Sequence, residues 1–378
     1  MKRTLLFAAL MLLASCCAKK SEESQIKLLD ASAFEATVDG KATSLYTLKA
    51  GDLVMQVTNY GGRVVTLWAP DRNGNYADVE IGYENINRYI NNTGERFFGA
   101  VVGPVANRIS GGRFTLEGKT YQVPQNNNGC NTLHGGFIGV DRIVWDVKEV
   151  TDNKITLFLA LPDGFEGFPG NREIEMTYEL TPANEFTVSY KATTDRTTVM
   201  NLSHHSFFNL EGDGEGSVLD HVMQIYADHI TPVGAKLIPT GELMAVEGTA
   251  FDFREPHTIG ERVDGDHPQL KAGAGYDHNW VVSLKDDKTM RKMADVYSPK
   301  SGRGMEVWSD QVALQFYSGN FFDGSCHTKY GKPVVHRGSF ALETQRYPDA
   351  PNQPSFPSIE LKPGEVYTHV CTYKFYAK

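Results

Sequence analysis

Cysteine is scarce, with five in 378 residues. Cys16 and Cys17 sit side by side near the start, while Cys130, Cys326 and Cys371 are far apart and form no CxxC pair. That spacing argues against a disulfide framework and against a zinc site, although one pair could still bridge in an oxidising compartment. Positive charge is also in deficit: 37 Lys and Arg against 46 Asp and Glu leave a formal net charge of -9. Such an acidic chain is a poor partner for nucleic acid or for an anionic membrane surface. Past residue 14 no apolar run approaches the roughly 20 residues needed to span a bilayer. Sustained amphipathic helices, internal repeats, Pro/Ser linkers and blocks of like charge are all missing from the body of the chain.

The first residues have a different character. Lys2 and Arg3 precede the apolar run Leu5–Ala14, which is too short to cross a membrane and reads as a signal peptide, residues 1–15. It ends in Leu13-Ala14-Ser15-Cys16, which resembles the lipobox of bacterial lipoproteins. The resemblance implies that Cys16 becomes a lipid-bearing N-terminus. It also implies an exported protein held by that anchor alone, facing the periplasm or the cell surface. Residues 16–26, with Lys19, Lys20, Glu22 and Glu23, read as a polar tether.

The remainder, 27–378, is read as one domain of strands and turns. Asp52–Val57 and Arg63–Trp68 are short runs rich in β-branched and aromatic residues, and Asp71-Arg72-Asn73-Gly74 is a hairpin-type turn after the second. Phe114–Val123 alternates around Glu117-Gly118-Lys119 as a further hairpin. Lys154–Ala160, Glu173–Leu180, Glu185–Thr193 and Glu365–Phe375 alternate in the same way. Strands at this spacing predict an all-β fold, a large antiparallel sandwich or barrel.

Six places set polar or ionisable residues among apolar, aromatic or glycine neighbours, where a buried polar group needs a partner. Asn107-Arg108 offers donors to hydroxyl oxygens, or an arginine paired to a structural carboxylate. His134-Gly135-Gly136 allows a close backbone approach beside a histidine, or is simply a turn. In Ser203-His204-His205-Ser206-Phe207, strand alternation lets only one histidine face a given pocket, which weakens a metal reading. Tyr276-Asp277-His278 sets an acid between aromatics, as a sugar site or an Asx-turn would. Gln315 could bridge two hydroxyls or lie on a sheet edge. In Phe340–Gln345 the residues Ala341, Glu343 and Gln345 share one face, so Glu343 is a carboxylate on a largely apolar strand, where desolvation would raise its pKa.

Taken in order, these strings resemble one family, aldose 1-epimerase (galactose mutarotase). The matching stretches run from about Tyr60 to Phe375. They include Pro70-Asp71-Arg72-Asn73-Gly74, Ala106-Asn107-Arg108-Ile109, Leu133-His134-Gly135-Gly136, Pro162-Asp163-Gly164, Leu237-Ile238-Pro239-Thr240-Gly241, Phe251-Asp252-Phe253-Arg254, Gln315-Phe316-Tyr317-Ser318-Gly319-Asn320-Phe321 and Leu342-Glu343-Thr344-Gln345. The resemblance implies a galactose mutarotase-like supersandwich with a sugar cleft across one sheet, and a monomer. It implies Glu343 as general base, His205 as general acid, Arg108 and His134 near the reacting ring oxygen, and Asn107, Asp277 and Gln315 at the sugar hydroxyls. Two positions depart from the family: His204 stands where Asn is usual and Phe207 where Tyr is usual. Alternation points His204 away from His205 and leaves open which of the two is the acid; His205 is assigned from its position before Ser206, and Phe207 loses a hydroxyl within the substrate-binding set.

Mutarotation needs a base for the C1 hydroxyl proton and an acid for the ring oxygen. A glutamate raised toward 7 and a histidine near 6.5 would be close to matched. The reaction involves no redox step or group transfer, so no cofactor and no catalytic metal is expected. Two other classes fit part of the pattern. A glycoside hydrolase or lyase would use Glu343 and Asp277 as its carboxylate pair, and a surface sugar-binding protein would bind without turnover.

Overall fold

The strand Arg172–Thr181 shows how this chain builds its core. Ile174, Met176, Tyr178 and Leu180 are buried, while Glu173, Glu175, Thr177 and Glu179 lie toward solvent, the period of two that a half-buried strand requires. Each such apolar side chain contributes roughly 1.5–3 kcal/mol on burial. Its neighbours Lys154–Leu161 and Glu185–Thr194 pair with it in antiparallel register. In this computed structural model, residues 26–91 and 94–378 are described. The run Leu5–Ala14, Cys16, Cys17 and the stretch Ala18–Gln25 lie outside the described residues.

These strands belong to a nine-stranded sheet that continues through Tyr367–Ala377, Arg303–Ser309, Arg291–Tyr297, Val222–Ile225 and His257–Thr258. A five-stranded sheet, in the order Met244–Ala245, His229–Thr231, Asp277–Val281, Ala313–Tyr317 and Ala341–Gln345, lies against it. Tyr178, Phe186 and Tyr373 of the large sheet share one apolar cluster with Trp280, Phe316 and Leu342 of the smaller. The Tyr373 hydroxyl donates across the interface to the Leu342 carbonyl at 3.0 Å. A four-stranded sheet, Leu45–Ala50, Leu53–Thr58, Arg63–Pro70 and Tyr76–Asp78, completes the main layers. Its middle strands are buried on both faces, with Val64 in the main cluster and Val65 in a second one. That is why they read as continuous apolar runs rather than alternating ones.

The all-β antiparallel sandwich expected from the sequence is what forms. The turn at Asp71–Gly74 joins Arg63–Pro70 to Tyr76–Asp78, and the hairpin about Gly118 pairs Arg113–Leu116 with Lys119–Gln122. The helices Ile86–Ile90 and Pro268–Gly273 are short. Among the described residues no helix is long and apolar enough to cross a membrane. Cys130, Cys326 and Cys371 are free thiols.

Candidate functional site

The five-stranded sheet has one apolar face and one polar face, and the polar face floors a cleft. Trp280, Leu314, Phe316 and Leu342 point into the core. The alternating positions Asp277, Asn279, Gln315, Glu343 and Gln345 point the other way. Register places Asn279 opposite Gln315, and Gln315 opposite Glu343. These side chains bind one another: Gln315 Nε2 donates to Asp277 Oδ1 at 2.7 Å, and Gln345 Nε2 to Asn279 Oδ1 at 3.0 Å.

Over this floor lies the short strand Ser203–His205, paired with Ala100–Val102. The Ser203 hydroxyl donates to the Thr344 carbonyl at 2.9 Å, tying the strand of His205 to the strand of Glu343. His369 reinforces the tie. Its Nδ1 meets the Leu202 carbonyl at 3.1 Å and its Nε2 the Thr344 hydroxyl at 2.7 Å. A carbonyl can only accept, so the proton lies on Nδ1 and Thr344 donates to Nε2.

Two loops close the side. Asn107 and His134 both adopt left-handed backbone, with φ of 60° and 49°, a conformation Asn and His tolerate better than most residues. They clasp each other: the His134 N–H donates to the Asn107 carbonyl at 2.9 Å, and the Asn107 N–H to His134 Nδ1 at 3.1 Å. Gly135 follows because it must; a Cβ there would fall 1.9 Å from the Gly103 carbonyl oxygen.

The cleft holds about 550 Å³ including its open mouth and is lined by Glu95, Phe97, Asn107, Arg108, Leu133, His134, His205, Phe207, Asp277, Tyr317, Phe321 and Glu343. Seven residues singled out from the sequence therefore converge here: Asn107, Arg108, His134, His205, Phe207, Asp277 and Glu343. Gln315 lies beside and below them, lining a smaller adjoining cavity with Asn107, Arg108 and Asp277. Glu95, Phe97 and Tyr317 were not anticipated as site residues. The available signal was the charged pair Glu95-Arg96 set against Phe97-Phe98. Alternation turns His204 out of the cleft as expected, where it bonds Ser206 instead.

At the base of the cleft His205 Nε2 stands 3.4 Å from Glu343 Oε1. His205 Nδ1 and Glu343 Oε2 are buried with no hydrogen-bond partner among the described residues. Unpaired buried polar atoms are costly, and both belong to side chains that line the cleft. Burial holds Glu343 well above the usual carboxylate range; Asp277 adds to the rise and Arg108 opposes it. Burial also pushes His205 down to about 3 and His134 well below its ordinary value. The rise in Glu343 is the one its apolar strand predicts, whereas His205 departs from the expected value near 6.5. Desolvation drives both groups toward their neutral forms.

His134, His205 and Glu343 bring one ligand-type atom each to within 4.8 Å of one another, which invites a metal. The tautomer speaks against it. Because His134 Nδ1 accepts the Asn107 N–H, a neutral His134 carries its proton on Nε2 and has no lone pair left for a cation. His134 is thus a hydrogen-bond donor toward the cleft. Arg108 is a second donor, its guanidinium 3.9 Å from Asp277 and its Nε donating to Asn127. Phe97 lies near His205 with ring centroids 5.7 Å apart and planes at 28°, and with Phe207 and Tyr317 it offers apolar surface to the carbon face of a small polar ring.

The sequence profile of the family described as Aldose 1-epimerase matches residues 44–374. The galactose mutarotase of Rattus norvegicus is 41% identical over 336 residues, covering 89% of this chain and 95% of that one. The aldose 1-epimerase of Escherichia coli (strain K12) is 34% identical over 344 residues, covering 90% and 97%. Among solved structures, an aldose epimerase homologue from C. elegans superposes with a TM-score of 0.80 at 26% identity, covering 89% of this chain and 99% of that chain. The chain belongs to the aldose 1-epimerase family and is an isomerase that interconverts aldose anomers.

Proposed function

We propose that the cleft binds free aldohexoses, glucose and galactose among them, and that Glu343 and His205 are the base and acid that open and reclose the ring. The observation that carries this is the 3.4 Å approach of His205 Nε2 to Glu343 Oε1 in the cleft wall, with one further atom of each buried and unpaired. Glu343 removes the proton of the C1 hydroxyl while His205 protonates the ring oxygen. The bond between C1 and the ring oxygen breaks and leaves an aldehyde. After rotation about the C1–C2 bond, Glu343 gives its proton to the aldehyde oxygen, His205 takes the proton of the C5 hydroxyl, and that oxygen closes the ring on the other face of C1. No atom or electron is gained or lost. With the open-chain sugar bound, Glu343 is protonated and His205 neutral, which is the state that burial favours. Burial therefore stabilises the intermediate relative to the ion pair that precedes it.

Asn107, Arg108, His134 and Asp277 are placed to hold hydroxyls and the ring oxygen. Gln315 orients Asp277 through its 2.7 Å bond. Asp277, already engaged by Gln315 and Arg108, suits a hydroxyl acceptor better than the second carboxylate of a hydrolase. Polarimetry on freshly dissolved α-glucose and α-galactose tests the proposal. Acceleration that Glu343→Gln and His205→Asn both abolish is the expected result. Acceleration untouched by either substitution would sink the assignment.

The sequence supports a location as well: an exported monomeric lipoprotein, anchored through Cys16 and facing the periplasm or the cell surface. Labelled fatty acid incorporated by the full chain in a bacterial host, and lost with Cys16→Ala, is the expected outcome. Unlabelled full-length chain would refute the anchor.

A further inference from the structure

Catalysis as proposed uses the base of the cleft and leaves its mouth unexplained. A row of aromatic rings joins the two. Phe207 lies 4.8 Å from His205, Tyr317 lies 6.0 Å from Phe207, and Phe321 lies 6.0 Å from Tyr317, all measured between ring centroids. Burial falls away along the row: Phe207 is buried, Tyr317 half-buried and Phe321 62% exposed. All three residues line the cleft. The outer two are stacked, with their planes at 24°.

A single exposed aromatic residue means little by itself. Phe137 is 60% exposed and lies outside the cleft wall. Phe321 differs in its place and in how firmly it is held there. The Tyr317 hydroxyl accepts its N–H at 3.0 Å. On one side of it Asn320 is buried, and its amide donates to the carbonyls of Gly273 and Tyr276 at 3.0 and 2.9 Å. On the other side Phe322 is buried in the second apolar cluster, edge-on to Phe207 at 5.5 Å. Gly319, with φ of 71°, lets the turn close where a Cβ would fall 2.4 Å from the Ser339 carbonyl oxygen. A well-anchored turn therefore holds an apolar ring in water at the edge of the cleft, forgoing the stabilisation that burying a phenylalanine yields.

The chemistry at the base orients the sugar. C1 and the ring oxygen must sit at Glu343 and His205. In a six-membered ring C4 lies opposite C1, and C3 lies opposite the ring oxygen. The C3–C4 edge therefore points away from the base and toward the mouth. C6 hangs from C5, beside the ring oxygen, and stays to the side. With bonds of about 1.5 Å, such a ring spans only about 3 Å from C1 to C4. One hexose at the base thus covers the inner rings of the row and leaves Phe321 bare. A second pyranose joined at the outer edge would reach it. Such a ring has an apolar C–H face to lay on an aromatic side chain and a rim of hydroxyls that stays in water.

We propose that Phe321, backed by Tyr317, is a second sugar subsite at the cleft mouth, and that the enzyme takes reducing oligosaccharides whose terminal hexose is substituted at O4 or O3. The proposal rests on the mutarotase reading of the base. The reducing-end ring opens and recloses between Glu343 and His205, and the next ring stacks on Phe321 without taking part in the chemistry.

The test is polarimetry on freshly dissolved α-lactose and β-maltose, both 4-linked, on 6-linked melibiose, and on α-glucose. All four carry glucose at the reducing end, so only the attached ring differs. At least one 4-linked sugar is expected to match or exceed glucose in kcat/KM, with melibiose below it. Phe321→Ala is expected to lower the ratio of that 4-linked sugar to glucose by about two- to tenfold, the scale of one aromatic contact. Phe321→Trp, which keeps a ring, is expected to preserve the ratio. Phe321 is mostly exposed, so neither substitution removes core packing. Acceleration of glucose but of neither 4-linked sugar would overturn the proposal; so would a ratio unchanged in Phe321→Ala, or one lowered as much for melibiose. Calorimetry on the same sugars at anomeric equilibrium gives a readout without turnover: tighter binding of the 4-linked sugar than of glucose, weakened in Phe321→Ala. That binding pattern in a protein that equilibrates no sugar would defeat the mutarotase reading and leave the subsite established.

Discussion

His204 and His205 are adjacent, equally desolvated, and pushed to the same value of about 3, yet they belong to different parts of the molecule. His204 has both ring nitrogens engaged, one by Tyr178 and one by Ser206. His205 has Nδ1 bare and Nε2 turned to Glu343 at 3.4 Å. Depth of burial therefore does not tell a reactive group from a structural one, and neither does the size of the pKa displacement. The unfilled hydrogen-bonding capacity of His205 does separate it from His204, but His278 Nε2 is buried and unpartnered too among the described residues. The open nitrogen therefore marks His205 only together with its place beside Glu343 in the cleft wall.

The comparison breaks most sharply through turnover. Glu343→Gln and His205→Asn are each expected to lower kcat by ~10²–10⁴-fold, the contribution of a positioned general acid or base. Each variant should fold normally, because neither removes a bond on which the resting structure relies. Polarimetry beside thermal unfolding checks both halves. A His205→Asn protein with near-normal kcat would erase the distinction between the two histidines. Asp277→Ala comes next in size. A hydrogen bond to a charged group contributes about 1.5–3 kcal/mol, so KM should rise roughly 10- to 100-fold with kcat less affected. Unchanged KM would remove Asp277 from the sugar.

His204→Asn should show the reverse pattern. The shorter side chain strands the Ser206 hydroxyl and the Tyr178 oxygen, at about 1–3 kcal/mol for each buried group left unsatisfied, while kcat falls by no more than about tenfold. Urea unfolding should therefore separate the pair in the opposite order from the sugar assay: His204→Asn less stable and mostly active, His205→Asn stable and inactive. Equal losses of stability would show that the bonds seen around His204 contribute nothing net.

Much of this was legible in the residues. Period-two alternation predicted the long strands of the large sheet, and it predicted that Ala341, Glu343 and Gln345 share a face and that His204 and His205 face opposite ways. It failed for Leu53–Thr58 and Arg63–Pro70 as a guide to facing, because strands buried on both sides carry no polar phase to read. The cleft's floor was half visible. Asp277, Gln315 and Glu343 stood out as polar residues among apolar ones, but the Gln315 bond that draws its amide to Asp277 depends on cross-strand register, which no single strand contains. Glu95 and Phe97 were missed because a loop's reach into a cleft leaves no periodic trace.

The pKa reading also diverged from expectation, and the divergence yields the smallest and most specific effect. Matched values near neutrality follow from the residue types; displaced ones follow from the depth of the cleft. Glu343 in the fold is raised above an unfolded glutamate's value of about 4.3. A raised group contributes its stability in full below the unfolded value and loses it as pH climbs toward the folded value. Wild type should thus fall behind Glu343→Gln as pH rises from 4, by up to about 1.4 kcal/mol per pH unit until the folded value is passed. At pH 4 the two proteins should unfold at the same urea concentration, and at pH 7 the inactive variant should be the more stable. A Gln variant weaker than wild type at pH 7 would mean that Glu343 is ionised and well paired at rest. The contrast would then lie between two satisfied histidines, and the bare atoms at the base of the cleft would no longer mark the reactive one.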